Sequence, residues 1–238
     1  YDQFDLIKDT DKGRNFHRSD TYGANLIFQY TWRGGVTSLG GELRREEIVS
    51  SKLGTPMATP NGHYTRSDAR TIVSATAEHT WTWQRWAASA GVMMQHNTLL
   101  DGVRFYPSVG LAYRPTDALK LNATWSRSTR MPTFTDLYYK NPSQEGNTQL
   151  RPEENSAFRL GATHRAACGI TVEAAAFYNR GTNVLDWVMY DAQDKFHSTN
   201  FRLDNFGVNV TATADFDRLL GTSQPLRRLR LDFARLWQ

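Results

Sequence analysis

The chain has 238 residues, 39% hydrophobic, 12% aromatic and 22% charged, with a mean hydropathy of −0.57. No run approaches the roughly 18 apolar residues of a membrane helix, which leaves strands open, since a transmembrane barrel strand is apolar only at alternate positions. A dispersed net charge of +4 without a basic stripe argues against nucleic acid as a partner, and the single Cys168 excludes an internal disulfide and a cysteine-rich zinc site.

Period-two alternation of apolar and polar residues marks about eleven strand segments, and helical periodicity is nearly absent. The opening residues YDQFDLIK make a short first candidate, without the basic start and apolar run of a secretory leader. Tyr22, Ala24, Leu26, Phe28, Tyr30 and Trp32 then alternate with Gly23, Asn25, Gln29 and Thr31. Leu39 and Leu43 set the apolar phase of the next segment, against Glu42, Arg44 and Glu46. Val73, Ala75, Ala77, Trp81 and Trp83 follow, and after a tight turn Trp86, Ala88, Ala90, Val92 and Met94. Val109, Leu111 and Tyr113 pair naturally with Leu119, Leu121, Ala123 and Trp125. Phe158, Leu160 and Ala162 precede Ile170, Val172, Ala174, Ala176 and Tyr178. The clearest alternation sets Phe206, Val208, Val210, Ala212, Ala214 and Phe216 against Gly207, Asn209, Thr211, Thr213 and Asp215. Leu229, Leu231 and Phe233 end the series.

The connections are sorted by length. Residues 9–20, 51–67, 130–154 and 182–202 read as long loops and 97–103 as a medium one, whereas 33–36, 84–85, 115–118 and 166–169 read as tight turns. Short turns at one end and long loops at the other are the plan of an outer-membrane barrel. Tyr30, Trp32, Trp81, Trp83, Trp86 and Tyr113 lie near tight turns on the outward phase, as amphipathic rings do at a membrane–water interface. The opposite phase carries Glu42, Arg44, Glu46, Glu78, Lys120, Glu173 and Asp215, which a dry core would not tolerate. The expected fold is all-β, an antiparallel up-and-down transmembrane β-barrel. Single-chain bacterial barrels have even strand numbers and leave no open edge in the bilayer, so an odd count predicts that residues 1–238 are one segment of a larger barrel domain.

Between these strands lies a resemblance. The stretch PSVGLAYRPTDALKLNATWSRSTRMPTFTDLYY, followed by GNTQLRPEE, resembles the barrel of TonB-dependent outer-membrane receptors. That family has an Arg-Ala-Pro-Thr-Phe-x-Asp-Leu-Tyr loop start and an Asn-x-x-Leu-x-Pro-Glu segment opening the next strand. Here Arg130, Met131, Pro132, Thr133 and Phe134 match the first with Met in place of Ala; Asn147, Leu150, Pro152, Glu153 and Glu154 match the second in order. The family's plug domain and energy-coupling box have no counterpart in the chain. The resemblance implies a plugged barrel in a Gram-negative outer membrane that imports a bulky nutrient, cobalamin or a ferric siderophore. The wording around 133–139 and 146–154 is most similar to cobalamin-receptor-like members. The implied partners are outer-membrane lipids, the imported corrinoid or iron chelate and the energy-coupling protein TonB through the plug region, with a surface lipoprotein as an addition. Haem receptors of the family carry a histidine between the two blocks; residues 132–147 have none, which disfavours haem.

Candidate ligand contacts fall in the loops 130–154 and 183–201, expected on one side of the barrel. They are Arg130, Phe134, Asp136, Tyr138 and Tyr139 in the first, and Trp187 and Tyr190 in the second. Rigid amphipathic rings supply contact area at low entropic cost. Elsewhere the chemistry is sparse. His17, His63, His79, His96, His164 and His197 lack metal-ligand spacing, and His79 lies on the outward phase between Ala77 and Trp81. Neither a nucleophile elbow nor a phosphate-cradling loop occurs, so no enzyme and no cofactor are expected. Asp9, Asp11 and Gly13 give a faint calcium-loop pattern, more simply read as a solvated loop. The competing reading is a passive pore or another non-energised barrel, such as an adhesin or autotransporter translocator.

Overall fold

The computed structural model describes residues 2–4, 14–98, 102–191, 194–221 and 226–238. Tyr1, the rest of the first candidate strand and the calcium-like 9–13 stretch lie outside them. The chain forms one fourteen-stranded sheet. In order its strands are β1 (Asp2–Phe4), β2 (Asn15–Trp32), β3 (Gly35–Ser50), β4 (Thr55–Asn61), β5 (Tyr64–Trp83), β6 (Trp86–Asn97) and β7 (Val103–Tyr113). Then come β8 (Leu119–Arg130), helix α1 (Phe134–Tyr138), β9 (Lys140–Asn141), β10 (Gln144–Glu145), β11 (Glu153–Arg165), β12 (Ile170–Val188), β13 (Phe196–Asp215), helix α2 (Phe216–Leu220) and β14 (Arg228–Trp237).

Ten of these strands have ten residues or more, and each of the ten is one the alternation finds. They pair antiparallel with their neighbours in sequence, β4, β9 and β10 excepted. With β1, which lies in the first candidate segment and pairs with β2, they make eleven, the number the alternation marks. The sheet is open among the described residues: β1 pairs with the start of β2, and β14 pairs with β13.

Register fixes which side each residue faces. Val210 lies opposite Ala174 and Phe233; Ala174 opposite Ala162; Ala162 opposite Leu121. One step along, Thr211 faces Glu173 and Asp232, and Glu173 faces Thr163. Directly opposed residues share a face, so the apolar phase is continuous across the sheet and so is the polar one. Leu26, Phe28, Leu39, Leu160, Leu231 and Phe233 are exposed on the apolar face, as residues are that meet lipid rather than a core.

The tight-turn end carries the expected aromatic band. Trp83 pairs with Trp86 across Gln84 and Arg85, and the positive φ of Gln84 is what a two-residue hairpin demands. Trp86 stacks on Tyr113 at 4.1 Å. Trp32 Nε1 donates to Thr37 Oγ1 at 3.1 Å, and Thr37 lies 2.7 Å from His79 Nδ1. His79 packs edge-on against Trp81 at 4.3 Å, so it sits among interfacial rings.

Three sequence-based loops are shorter than expected. Residues 15–20 of the 9–20 loop belong to β2, residues 51–67 contain β4, which folds back on β5, and most of 182–202 is strand. The β12–β13 hairpin continues through Val184 opposite Phe201 to Val188 opposite His197. A strand crosses the bilayer in about 9–11 residues, and β12 and β13 have 19 and 20. The surplus extends past the length a bilayer needs, where no hydrocarbon enforces alternation, and the sequence therefore lacks the period-two signal there.

Candidate functional site

The connection between β8 and β11 is the most structured part of the long-loop end. Thr133 caps α1 with a capping box: its hydroxyl accepts from Asp136 N at 3.1 Å, and Asp136 Oδ2 accepts from Thr133 N at 2.9 Å. Pro132 ends the extended approach, and acidic Asp136 suits the first helical turn. Leu137 is buried with Leu150 and Leu185, and Tyr138 packs against them. Asn147 makes the turn that returns the chain, its Oδ1 accepting from Gln149 N at 2.9 Å. Gly146 passes so close to α1 that an added Cβ would sit 2.9 Å from the Asp136 carbonyl. The two sequence blocks are thus the two halves of one folded loop.

This loop is held from both sides. From β5, Arg70 Nη1 donates to the Pro132 carbonyl at 2.5 Å, and its guanidinium stands 5.1 Å from the Phe134 ring centre. Arg70 is 7% exposed and pairs with Glu46 of β3 at 2.5 Å. Tyr138 donates its hydroxyl to Asp68 Oδ2 at 2.6 Å. Burial, with the Asp68 carboxylate as a second cause, pushes the Tyr138 hydroxyl up to about 12. From the other side, Ser198 of β13 donates to the Asp136 carbonyl at 2.6 Å, and Asn200 bonds the Arg151 backbone through both amide atoms. Beyond them β10 pairs in parallel with β13, Gln144 opposite Phe196.

Asp68 and Arg70 share the phase of Ser74 and Glu78, the polar one. A loop leaving β8 reaches β5, across β6 and β7, only as a chord over a concave surface. The polar face is therefore the inside of the curve, and α1 is tucked into its mouth.

The seven candidate residues divide accordingly. Arg130 is committed to Glu153, with Nε at 3.1 Å and Nη2 at 2.7 Å, and reaches the Leu185 carbonyl at 3.3 Å. Asp136 is spent on the helix cap, and Tyr138 on Asp68. Phe134 lies half-buried under Arg70. Tyr139 is half-buried and accepts from Asn141 Nδ2 at 3.3 Å. Trp187 is half-buried on the hairpin extension, whereas Tyr190 is 71% exposed and donates to Thr199 at 3.2 Å. Both loops do emerge at one end. The sequence gives no hint of Asp68, Arg70, Leu185 and Ser198 as their partners: these contacts join residues up to 70 positions apart, and no local pattern encodes them. Among the described residues no group of three histidines, cysteines or carboxylates could hold a metal ion.

A profile of the family described as TonB dependent receptor-like, beta-barrel, matches residues 1–234. The chain belongs to that family. Its members are Gram-negative outer-membrane proteins, and receptors and transporters rather than enzymes. Among solved structures the chain is similar to the FrpB iron transporter from Neisseria meningitidis, at 14% identity over 94% of this chain and 36% of that one, with a TM-score of 0.67. A mutant of the ferric enterobactin receptor PfeA from Pseudomonas aeruginosa, in complex with enterobactin, gives 16% identity over 94% and 36%, with a TM-score of 0.70. The copper transporter OprC gives 14% identity over 94% and 38%, with a TM-score of 0.69. This barrel segment thus spans little more than a third of each of those chains. No curated protein matches.

Proposed function

We propose that the chain forms part of the wall of an outer-membrane receptor that imports a bulky chelate by TonB-dependent transport. The observation that carries this reading is the 131–152 loop. It is folded inward over the polar concave face and offers aromatic surface at the mouth of a barrel whose family is that of such receptors. The neighbours named above transport iron or copper or bind ferric enterobactin, which favours a ferric siderophore over cobalamin as the cargo. Tyr139, Trp187 and Tyr190 are the proposed ligand contacts. Phe134, half-buried under Arg70, joins them, while Arg130, Asp136 and Tyr138 hold the loop that presents them. Coupling to TonB would run through a plug inside the wall.

Uptake of radiolabelled ferric siderophores and of labelled cobalamin by cells expressing the full-length protein tests both levels. Uptake that stops when TonB is removed supports an energised receptor. Uptake that persists without TonB would instead establish the passive-pore reading. Tyr139→Ala with Tyr190→Ala should lower uptake at least severalfold while the barrel still inserts.

A further inference from the structure

At the opposite end, the β13–β14 connection departs from the tight-turn rule. It runs from residue 216 to 227 and carries α2, capped by the Asp215 carboxylate at 3.3 Å from Arg218 N and ended by Gly221 in the left-handed region. The β11–β12 turn is bonded to it: Asp215 N donates to the Gly169 carbonyl at 3.0 Å. Gly169, at φ +95°, lies so close that an added Cβ would be 2.7 Å from Arg218 Cβ. The two connections thereby fix Arg218 over a polar groove of about 380 Å³, which Arg165, Thr171, Thr213, Asp215 and Arg228 also line.

Three guanidiniums from three different elements meet one carboxylate there, and that carboxylate is occupied by the helix cap. None of Arg165, Arg218 and Arg228 has an ion-pair partner among the described residues, whereas nearby Arg230 is paired with Asp232 at 2.9 Å. Unpaired cations gathered in a groove raise the local concentration of anions. The phase decides which anion. Arg165 opposes Thr171, Thr171 opposes Thr213, and Asp215 opposes Arg228, all on the polar concave face. Ile170, Ala214 and Leu229 take the lipid-facing side. A lipid headgroup would have to approach from the wrong side of the wall.

We propose that this groove is a docking site for an acidic polypeptide segment inside the barrel at its tight-turn end, with two or more carboxylates spaced to meet Arg165, Arg218 and Arg228. It rests on the barrel reading of the sheet and on no particular cargo. The test uses the full-length protein in isolated outer membranes. Arg218→Lys and Arg165→Lys keep the charge and allow zero-length carbodiimide coupling to a carboxylate within contact distance, which peptide mass spectrometry then locates. The expected product joins position 218 or 165 to a segment with at least two acidic residues within one or two turns of chain. Arg165→Glu with Arg218→Glu should reduce the docked fraction at least tenfold, measured as protease protection of that segment, and reversing the segment's charges in the same background should restore it. Products confined to Asp215 and Asp217, or protection unchanged by charge reversal, would overturn the proposal. Inorganic phosphate at 10-fold lower concentration than a synthetic acidic hexapeptide competing equally would make it a small-anion site and overturn it too. TonB-dependent uptake, scored separately, keeps failure here distinct from failure of the import reading.

Discussion

From Ile170 to Gly181, β12 pairs with β13 one residue to one, apolar side out and polar side in. Between Gly181 and Val184 the register shifts, Asn183 takes a φ of 54°, and above that point the same two strands bury Leu185 and Ser198 against a loop instead of alternating. Below the bulge the surroundings of each face set the side chain: hydrocarbon outside, a polar interior inside. Above it no hydrocarbon imposes alternation, and side chains are chosen by individual contacts. A membrane band is thus specified by repetition and tolerates any residue of the right polarity. The mouth is specified residue by residue.

The sharpest way to break that contrast is a charge in the band. Val210→Arg puts a guanidinium among Ala174 and Phe233 on the lipid face and should cost about 2–4 kcal/mol if it lies near the midplane. Thr211→Arg points inward, beside Asp232, whose Oδ1 already accepts from Thr211 at 2.7 Å, and should cost far less. Unfolding titrations of the two variants in lipid vesicles give the comparison directly. Equal costs would mean that the two faces do not differ in solvent.

Next in size is the clasp at Arg70. Arg70→Met removes the hydrogen bond to Pro132, the contact with Phe134 and the pair with Glu46. Breaking a fully buried pair can cost 3–5 kcal/mol. Glu46 keeps Arg44 Nε at 3.2 Å, so about 1–3 kcal/mol is expected. The loss should fall on the loop: faster hydrogen exchange over 131–152, with the melting of the wall unchanged.

How much of this is legible in the sequence follows from the same contrast. Val208, Val210, Ala212 and Ala214 announce their strand and face because the bilayer selects on every second residue. The folded loop is legible as a motif, Thr133 to Asp136 and Asn147 to Leu150, because its turns are local. Its docking partners are not. Asp68 reads as one more inward polar residue until the register and the curvature of the wall bring Tyr138 to it. The long upper strands escape for the opposite reason, since Ser198, Asn200 and Arg202 follow no solvent alternation. Asp136 and Arg130, legible as polar groups in a loop, turn out to be committed to the loop's own fold.

Tyr138→Phe tests the smaller strand of the clasp. Removing the hydroxyl leaves Asp68 without this donor, though Asp68 also accepts from Ala69 N, and about 0.5–1.5 kcal/mol of loop docking should be lost. A pH titration assigns the loss. The hydroxyl's pKa is raised from 10.0 to about 12 in the folded loop, so the protonated form is the one favoured by docking. Its contribution is complete below pH 10 and disappears as pH rises through 12. Loop protection in the parent protein should therefore fall across that window relative to Tyr138→Phe, which has nothing to ionise there. Parallel curves would show that the hydrogen bond to Asp68 does not hold the loop.

An effect of similar size lies at the boundary itself. Asn183 holds a left-handed backbone conformation that costs most L-residues roughly 1–2 kcal/mol and costs asparagine less. Its carbonyl accepts from Asn200 Nδ2 at 2.8 Å, so the conformation is tied to the hairpin and not free to relax. Asn183→Ala should therefore weaken the upper hairpin by about 1 kcal/mol, and Asn183→Gly should leave it within about half of that, glycine meeting the φ without strain but losing more entropy on folding. Hydrogen exchange at 184–188 and 197–201 reads the hairpin, and exchange at 172–180 reads the band as its internal reference. If alanine loosens both segments alike, the bulge is not a boundary and the wall and the mouth unfold as one. If it loosens the upper segment alone, the register shift at Asn183 is where the repetitive part of the chain ends and the individually specified part begins.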